Sequence, residues 1–199
     1  VVTVNPTPTA NAGADQTICA GTSASLSANT TGGTAPYTYA WTFGGGGTST
    51  LANPTHTFTS LGCGTVNFNN TLTVTDATGC ASTIVTLPIN ILQAPDVELE
   101  DPDVISPFSN CENSPTPDNP NFLITINNIS PDAGCINTYN INWGDGNVQT
   151  GLTNASFPLN HTYLTIGSFN LVVTAFGANG CNSTKTYTVA NQTNPAGSL

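Results

Sequence analysis

The chain has 199 residues, of which 6% are charged, and its 11 acidic residues face a single basic one, for a formal net charge of -10. With only Lys185 to neutralise phosphates, nucleic-acid binding and attachment to an anionic membrane through a basic patch are excluded. No segment offers the roughly 18 consecutive apolar residues of a membrane span, so we expect no membrane insertion. A hydrophobic content of 38%, arranged in short runs, is enough for small folded cores.

Alternating β-branched and aromatic residues predict short strands in the first half of the chain, and no segment shows a sustained helical period. The strands are predicted at Gln16–Ile18, Ala24–Ala28, Tyr37–Phe43, Thr55–Thr59, Val66–Thr75 and Ser82–Ile91. Within the third of these, aromatic residues recur at every second position, from Tyr37 through Tyr39 and Trp41 to Phe43. This period places them on one face of the strand and therefore in a core between two sheets.

The second half repeats the landmarks of the first about 100 residues later, and such a period decides the architecture. Strands are predicted there at Val97–Ile105, Phe122–Ile129, Thr138–Trp143, Phe157–Tyr163, Ser168–Phe176 and Thr184–Val189. The paired landmarks, in the same order in both halves, are Tyr39–Gly46 with Tyr139–Gly146, His56–Phe58 with His161–Tyr163, Leu72–Thr75 with Leu171–Thr174, and Gly79–Cys80 with Gly180–Cys181.

Several motifs carry a family resemblance. They are Trp143–Gly146, His161–Tyr163, Gly167–Phe169 and Leu171–Thr174 in the second repeat, and Ala12–Thr17, Tyr39–Trp41 and Leu72–Asp76 in the first. Together they resemble the PKD domain family of immunoglobulin-like modules from bacterial surface and secreted proteins. The resemblance implies an all-β fold of two tandem immunoglobulin-like (PKD-like) β-sandwich domains, and a sandwich of ~100 residues fits the length.

The first repeat departs from the family at one position, where Gly45 stands in place of the aspartate found at Asp145. In the family this aspartate chiefly orders a turn, so we expect no shared metal or ligand role for it. The domains are expected at 6–93 and 94–191. Residues 1–5 are interpreted as the end of a preceding repeat or a linker, and 192–199 as a linker toward a following repeat.

A narrower resemblance involves the cysteine-bearing phrases Thr17–Thr22 and Thr78–Cys80. They are similar to repeats of large bacteroidete-type cell-surface adhesins of gliding bacteria, which the type IX secretion system exports. This resemblance implies an extracellular, cell-surface location. It also implies that neighbouring repeats of the same chain are the first partners, with an extracellular surface or polysaccharide as a possible further one.

The acidic run at the start of the second domain is the sharpest local signal for a ligand. Its carboxylates are Asp96, Glu98, Glu100, Asp101 and Asp103. The first three alternate with Val97 and Leu99 and should share the solvent face of a strand. Oxygen-rich clusters can hold Ca²⁺, and an exposed strand whose charges suppress edge pairing is the simpler interpretation. We expect no other cofactor.

No catalytic residue can be assigned from the sequence. His56 and His161 occupy the same repeat position between threonine and an aromatic residue, and we interpret them as structural strand residues because no ligand set or proton relay accompanies them. There is no Ser-His-Asp order and no Gly-x-Ser-x-Gly elbow. The chain is therefore expected not to be an enzyme.

The six cysteines indicate an oxidising compartment. The disulfide candidates are Cys19, Cys63, Cys80, Cys111, Cys135 and Cys181. Two pairing schemes remain open. One is local closure, which we favour, with Cys19 to Cys63 and Cys135 to Cys181; the other consists of staples across the domain junction, with Cys19 to Cys181 and Cys63 to Cys135. In either scheme Cys80 and Cys111 point outward to opposite neighbours. No Cys-x-x-Cys spacing indicates a metal site.

The function expected from these features is a structural one. Tandem sandwiches joined by the short Ala94-Pro95 connection form a stalk or filament segment of an extracellular adhesin. Such a segment gives reach and mechanical and proteolytic resistance for surface attachment or gliding motility. The alternative is a carbohydrate- or protein-binding accessory module of a secreted hydrolase, which requires an exposed aromatic platform.

Overall fold

The structure, a computed structural model, describes residues 6–103, 107–110 and 121–192. Apart from one-turn 3-10 helices at Ala133–Cys135 and Asn154–Ser156, the regular structure of these residues is β-strand. No helix in these ranges is long and apolar enough to cross a membrane. The chain divides into two compact units, Val1–Ala94 and Pro95–Leu199. Each unit has its own hydrophobic core, and the predicted all-β fold of two tandem β-sandwich domains is confirmed.

Unit 1 is a sandwich with one large sheet. Its strands are β1 (Thr9–Asn11), β2 (Gln16–Cys19), β3 (Ser23–Ser25), β4 (Asn29–Thr31), β5 (Thr38–Thr42), β6 (Thr48–Ser49), β7 (Thr55–Thr57), β8 (Thr65–Thr75) and β9 (Val85–Leu92). The large sheet has the order β2-β9-β8-β5-β6, and β3-β7 and β1-β4 form antiparallel pairs. The β2–β9 pairing is parallel, whereas β9–β8 and β8–β5 are antiparallel.

The core of unit 1 follows from alternation along its strands. Trp41 on β5, Leu72 and Val74 on β8, and Ile89 and Ile91 on β9 are at most 1% exposed. Ala24 and Leu26 face them from the β3 side. The predicted aromatic face of β5 is confirmed for Trp41 and Phe43, which are buried, while Tyr37 and Tyr39 are half-buried and pack against the same core.

Unit 2 consists of two sheets. Its strands are β10 (Leu99–Glu100), β11 (Phe122–Asn128), β12 (Ile136–Asn142), β13 (Val148–Leu152), β14 (Leu159–Tyr163), β15 (Gly167–Gly177) and β16 (Asn182–Asn191). One sheet has the order β13-β12-β15-β16 and the other β10-β11-β14. A parallel bridge joins Ser109 to Ala190 on β16. Buried side chains from both sheets, including Ile124, Ile126, Tyr139, Ile141, Trp143 and Val173, fill the space between them.

The predicted strands agree with the structure in position, with ends that differ by a few residues. The strand predicted at Ser82–Ile91 begins at Val85, and the one predicted at Val97–Ile105 is assigned only over Leu99–Glu100, with 104–105 outside the described residues. Four strands, β1, β4, β6 and β13, were not predicted from the sequence. β1, β4 and β6 are two or three residues long and consist mostly of threonine, asparagine and serine, and β13 has apolar residues only at its two ends, so none of the four shows the apolar alternation by which a strand is recognised.

Candidate functional sites

His161 of unit 2 lies in a cage of aromatic rings and a carboxylate. Strand β14 places its imidazole against the Trp143 ring, with centroids 4.4 Å apart and nearly parallel planes, and edge-on to Tyr163 at 4.8 Å. Its Nε2 lies 2.7 Å from Asp145 Oδ2, and both side chains are 13% exposed. No acidic partner for this histidine was predicted from the sequence. The structure supplies one from the turn between β12 and β13, sixteen residues earlier.

Asp145 also orders the turn in which it lies. Its Oδ1 accepts a hydrogen bond from the Asn147 backbone N–H at 3.0 Å, and its Oδ2 accepts one from the Asn147 side chain at 3.1 Å. Burial alone would raise the pKa of Asp145, but the Asn147 and His161 contacts outweigh it and lower that pKa. The Tyr163 hydroxyl donates to the Trp143 carbonyl at 2.8 Å, and burial raises the pKa of this phenol.

His56 of unit 1 has the aromatic cage without the carboxylate. It stacks on Phe43 at 4.2 Å and lies edge-on to Phe58 at 4.6 Å. Gly45 occupies the position equivalent to Asp145, and a Cβ added there would lie 3.1 Å from the Phe58 ring. In the part of the chain that the structure describes, no group of three metal-ligating side chains includes either histidine. The shared element is therefore aromatic packing of a strand histidine, as expected for a structural residue.

The acidic strand at the start of unit 2 keeps its predicted alternation. Val97 and Leu99 are buried in the core at 3% and 2% exposure, while Glu98 points toward β16. The Lys185 ammonium donates to Glu98 Oε2, and the Tyr187 hydroxyl donates to Glu98 Oε1 at 2.9 Å while accepting from the Leu99 N–H at 2.7 Å. The Lys185 contact is the main cause of a lowered pKa at Glu98. Burial is the main cause of a raised pKa at Tyr187, to about 12.

The remaining carboxylates of the run do not converge with Glu98. Asp101 accepts hydrogen bonds from the backbone N–H groups of Asp103, at 3.1 Å, and Phe108, at 2.8 Å. The Asp96 backbone N–H donates to Asp132, and Glu100 is exposed. Over the described ranges, no three of the five predicted carboxylates bring oxygens within 4.8 Å of one another. The Ca²⁺ site stays a prediction.

Asp76, in the turn between β8 and β9, was not among the candidate site residues predicted from the sequence. This residue is 5% exposed, and its carboxylate accepts hydrogen bonds from the backbone N–H groups of Thr34, Thr78 and Cys80 at 2.9–3.0 Å and from the Thr78 hydroxyl at 2.8 Å. Burial works to raise the pKa of Asp76, but these donors together lower it. The phrase Asp-Ala-Thr-Gly is typical of such a turn.

Five of the six cysteines lie in described residues. Cys19, Cys63, Cys135 and Cys181 are each disulfide-bonded, so disulfide formation is established for these four, while their pairing stays a prediction. Cys80 is free and half-buried. Cys111 lies outside the described residues.

The aromatic side chains offer no exposed platform. Every phenylalanine, tyrosine and tryptophan of the chain lies in a described range, and each is buried or half-buried. The large hydrophobic residues that are exposed in these ranges are all aliphatic, namely Leu51, Leu61, Ile84, Leu123, Ile129, Val148, Leu164 and Ile166. These side chains therefore provide no exposed aromatic face on which a sugar ring could stack.

Comparison with known proteins supports the PKD resemblance for unit 1. The sequence model of the PKD domain family matches residues 5–91. A search of curated protein sequences finds no match.

Solved structures give only distant similarities. Fibronectin(III)-like modules of Clostridium thermocellum CbhA are 14% identical, with 93% of this chain and 94% of that chain covered and a TM-score of 0.33. The Bacteroides ovatus protein SGBP-B, solved with a mixed-linkage heptasaccharide, is 12% identical over 95% of this chain and 48% of that chain, with a TM-score of 0.35. A 1.5-MDa bacterial ice-binding adhesin is 12% identical, with 96% of this chain and 66% of that chain covered and a TM-score of 0.33. Similarity this low transfers no ligand or partner. The family match and the observed sandwich together identify a PKD-like domain in the first unit.

Proposed function

We propose that this chain is a non-catalytic scaffold segment of an extracellular protein, in which tandem PKD-like sandwiches give reach and resist unfolding and proteolysis. The wider setting that we propose is a cell-surface adhesin used for attachment or gliding, with type IX export. Disulfide bonds at four cysteines support an oxidising location, because such bonds rarely persist in the cytosol.

The observation that carries this proposal is the way the last strand of each unit is held. In unit 1, β9 pairs in parallel with β2 from Gln16–Ile89 to Cys19–Leu92, and the Ala20 N–H continues the ladder to the Leu92 carbonyl at 2.9 Å. A pull on the two ends of a unit slides parallel strands past each other, so their hydrogen bonds resist together. Antiparallel hairpins pulled at their open ends break one bond at a time instead.

Unit 2 repeats the arrangement over a shorter stretch. The Ala190 N–H donates to the Phe108 carbonyl at 2.9 Å, and the Asn110 N–H donates to the Ala190 carbonyl at 3.2 Å. Side chains strengthen the contact, since the Asn110 amide donates to Asn191 Oδ1 and Phe108 stacks on Tyr187 with centroids 4.9 Å apart. Both units therefore end on a strand that is anchored to an earlier segment of the same unit.

A binding module is the weaker alternative. It requires exposed aromatic rings or a cluster of polar side chains with unused hydrogen-bonding capacity. The aromatic rings are covered by the cores, and the ordered carboxylates of Asp76, Glu98, Asp101 and Asp145 already accept hydrogen bonds from neighbouring groups. The scaffold explains these features without a ligand.

Single-molecule force spectroscopy on the 199-residue chain tests the proposal. With the disulfides reduced, each unit of about 90 residues should release about 30 nm of chain in a single step. Alternation along β2 places the Gln16 amide on the same side as that of Ala20, toward β9, and the Thr17 amide on the opposite side. Gln16→Pro should therefore lower the unfolding force of unit 1, whereas the matched control Thr17→Pro should lower it less.

Two results would contradict the scaffold. Equal loss of force in the two proline variants would show that the β2–β9 ladder does not resist tension. Saturable binding of the intact chain to a polysaccharide in a glycan array would favour the binding module instead.

A further inference from the structure

The outer face of the large sheet in unit 1 is covered by threonine. Alternate residues of β5, β8 and β9 point away from the core, because the residues between them, such as Trp41, Leu72 and Leu87, are buried. These outward positions, together with the first residue of β6, form what we call the threonine face. Its members are Thr38, Thr42, Thr48, Thr71, Thr73, Thr75 and Thr86, and Ala40 occupies the remaining outward position on β5.

The strand register aligns these threonines in rows. One row crosses four adjacent strands, because Thr42 pairs with Thr48 on one side and with Thr71 on the other, and Thr71 pairs in turn with Thr86. The remaining outward residues of β5 and β8 form two shorter rows beside it. Neighbouring strands are about 4.8 Å apart and alternate residues roughly 6.7 Å apart along a strand, so the side chains form a two-dimensional lattice.

The threonine face is uncharged, and most of its hydroxyls are not used within the protein. The four strands that carry it contain no acidic or basic residue, although the chain has a net charge of -10. Thr38 donates to the Thr75 carbonyl at 3.3 Å, and the other hydroxyls of the face have no hydrogen-bond partner among the described residues. Branching at Cβ restricts the rotamers of threonine, so the hydroxyl and methyl groups are held in place in advance of binding.

Unit 2 shows that the fold does not require this arrangement. In its large sheet, the row that corresponds to the four-strand row of unit 1 consists of Val148, Asn142, Val172 and Thr186. Valine favours strands as threonine does and brings no hydroxyl. Strand formation alone therefore does not explain why unit 1 has threonine at every position of this row.

We propose that the threonine face of unit 1 binds ice, through water molecules that its hydroxyl and methyl groups hold in an ice-like order. The spacings of the face lie within about a tenth of the oxygen repeat distances on a prism face of hexagonal ice. The absence of charge matches this partner, since a charged side chain orders its hydration water around itself rather than in a lattice. This inference goes beyond the proposed scaffold and does not depend on it.

A solid surface fits the threonine face better than a soluble ligand or a polysaccharide does. The hydroxyls lie on an open sheet face, where a small ligand would stay largely hydrated, whereas a crystal surface can cover all the rows at once. Crystalline polysaccharides are also uncharged, but their sugar rings are typically bound by stacking on aromatic side chains. The aromatic side chains of this protein are buried or half-buried.

Ice-affinity partitioning of the 199-residue chain tests this proposal. Ice is grown slowly on a cooled probe in a solution of the protein, and tryptophan absorbance measures the protein in the ice and in the remaining liquid. We expect the wild type to be incorporated into the ice and to separate the melting and growth temperatures of a single crystal. Thr42→Lys places a cation in the middle of the four-strand row and should abolish both effects.

Asn142→Lys is the matched control, because it adds the same charge at the corresponding position of unit 2 and should leave ice binding unchanged. Urea unfolding checks that each variant is folded, and Thr86→Lys tests the same row from another strand if β5 does not tolerate lysine. Exclusion of the wild type from ice, or an equal loss in Asn142→Lys, would overturn the proposal. Binding to crystalline cellulose or chitin in place of ice, abolished by Thr42→Lys, would also overturn it and would assign the face to a polysaccharide.

Discussion

The two units of this chain place their ordered aspartate at opposite ends of the sandwich. Unit 1 has Asp76 in the turn after β8 and only glycines from Gly44 to Gly47 in the turn after β5. Unit 2 has Asp145 in the turn after β12 and Gly177 at the position of Asp76. The same fold therefore accepts a carboxylate or a glycine at either turn.

Close backbone packing is what the two turns after β5 and β12 have in common. A Cβ on Gly44 would lie 2.7 Å from the Asn69 carbonyl oxygen, and one on Gly144 would lie 2.6 Å from that of Asn170. These distances are shorter than real contacts, so any side chain there forces the backbone apart. The glycine at this position is thus a stronger requirement of the fold than the aspartate that follows it.

The largest expected effect comes from alanine at these close approaches. Gly144→Ala should lower the free energy of unfolding of unit 2 by about 3 kcal/mol, because overpacking adds to the strain of a φ of +85°. Gly44→Ala should lower the free energy of unfolding of unit 1 by about 2 kcal/mol through overpacking alone. Urea unfolding followed by tryptophan fluorescence measures both, since Trp41 reports on unit 1 and Trp143 on unit 2. Single-tryptophan backgrounds, Trp143→Phe and Trp41→Phe, separate the two signals.

Gly46→Ala and Gly146→Ala are the controls for this prediction. Both glycines have a φ of +99°, and a Cβ at either would meet no atom within 4 Å. Each substitution should lower the free energy of unfolding of its own unit by about 1 kcal/mol because of backbone strain, and the loss should be the same in the two units. If the alanine variants at positions 44 and 46 were equally destabilised, close packing of the turn would not distinguish these positions.

The sequence predicted the sandwiches because their core strands alternate. Trp41 and Phe43, or Ile124 and Ile126, recur at the period of a strand, and the period is visible without a structure. The His161–Asp145 pair was not predicted, since its partners are separated in sequence and meet only when β14 packs beside the turn after β12. Asp76 is a mixed case: its bonds from Thr78 and Cys80 are local and follow the turn sequence, whereas its bond from Thr34 spans 42 residues and could not be predicted.

Removing the carboxylates should have the next largest effect. Asp145→Ala breaks the contacts with Asn147 and His161 and should cost unit 2 about 1–2 kcal/mol at neutral pH. Asp76→Ala should destabilise unit 1 and leave unit 2 unchanged. The same fluorescence assay, read separately for each unit, checks this. A loss in the unit that does not carry the substitution would contradict the separate role of each aspartate.

The pH dependence sharpens this comparison. The pKa values of Asp76 and Asp145 are lower in the folded protein than the ordinary 3.8, so their deprotonated forms stabilise the fold. This stabilisation is complete above pH 3.8 and is lost as the pH falls through the lower folded values. The urea concentration at the unfolding midpoint should therefore decrease for both units as the pH is lowered below about 4. Asp76→Asn should reduce the acid-induced loss of stability in unit 1 alone, and Asp145→Asn should reduce it in unit 2 alone.

Tyr187→Phe should have a moderate effect on unit 2 and none on unit 1. The hydroxyl accepts from the Leu99 N–H and donates to Glu98, so its loss leaves a partly buried donor without its partner and should cost about 1 kcal/mol. With a pKa of about 12, folded Tyr187 stays protonated when an unfolded tyrosine ionises at 10. The wild type should therefore lose stability between pH 10 and 12, and the phenylalanine variant should lose less. A parallel decline in both proteins would rule out this contribution.

The smallest expected effect is that of the only basic side chain. Lys185 donates to Glu98, but the two side chains are 42% and 34% exposed, so water screens the pair. Lys185→Gln should cost at most about 0.5 kcal/mol, and the loss should shrink further in 0.5 M salt. Glu98→Gln is the matched control. It keeps an oxygen that can accept from Tyr187, so the two single variants and the double variant should lose the same small amount. A loss above that of Tyr187→Phe would mean that the ion pair, rather than the tyrosine hydroxyl, holds the first strand of unit 2 against β16.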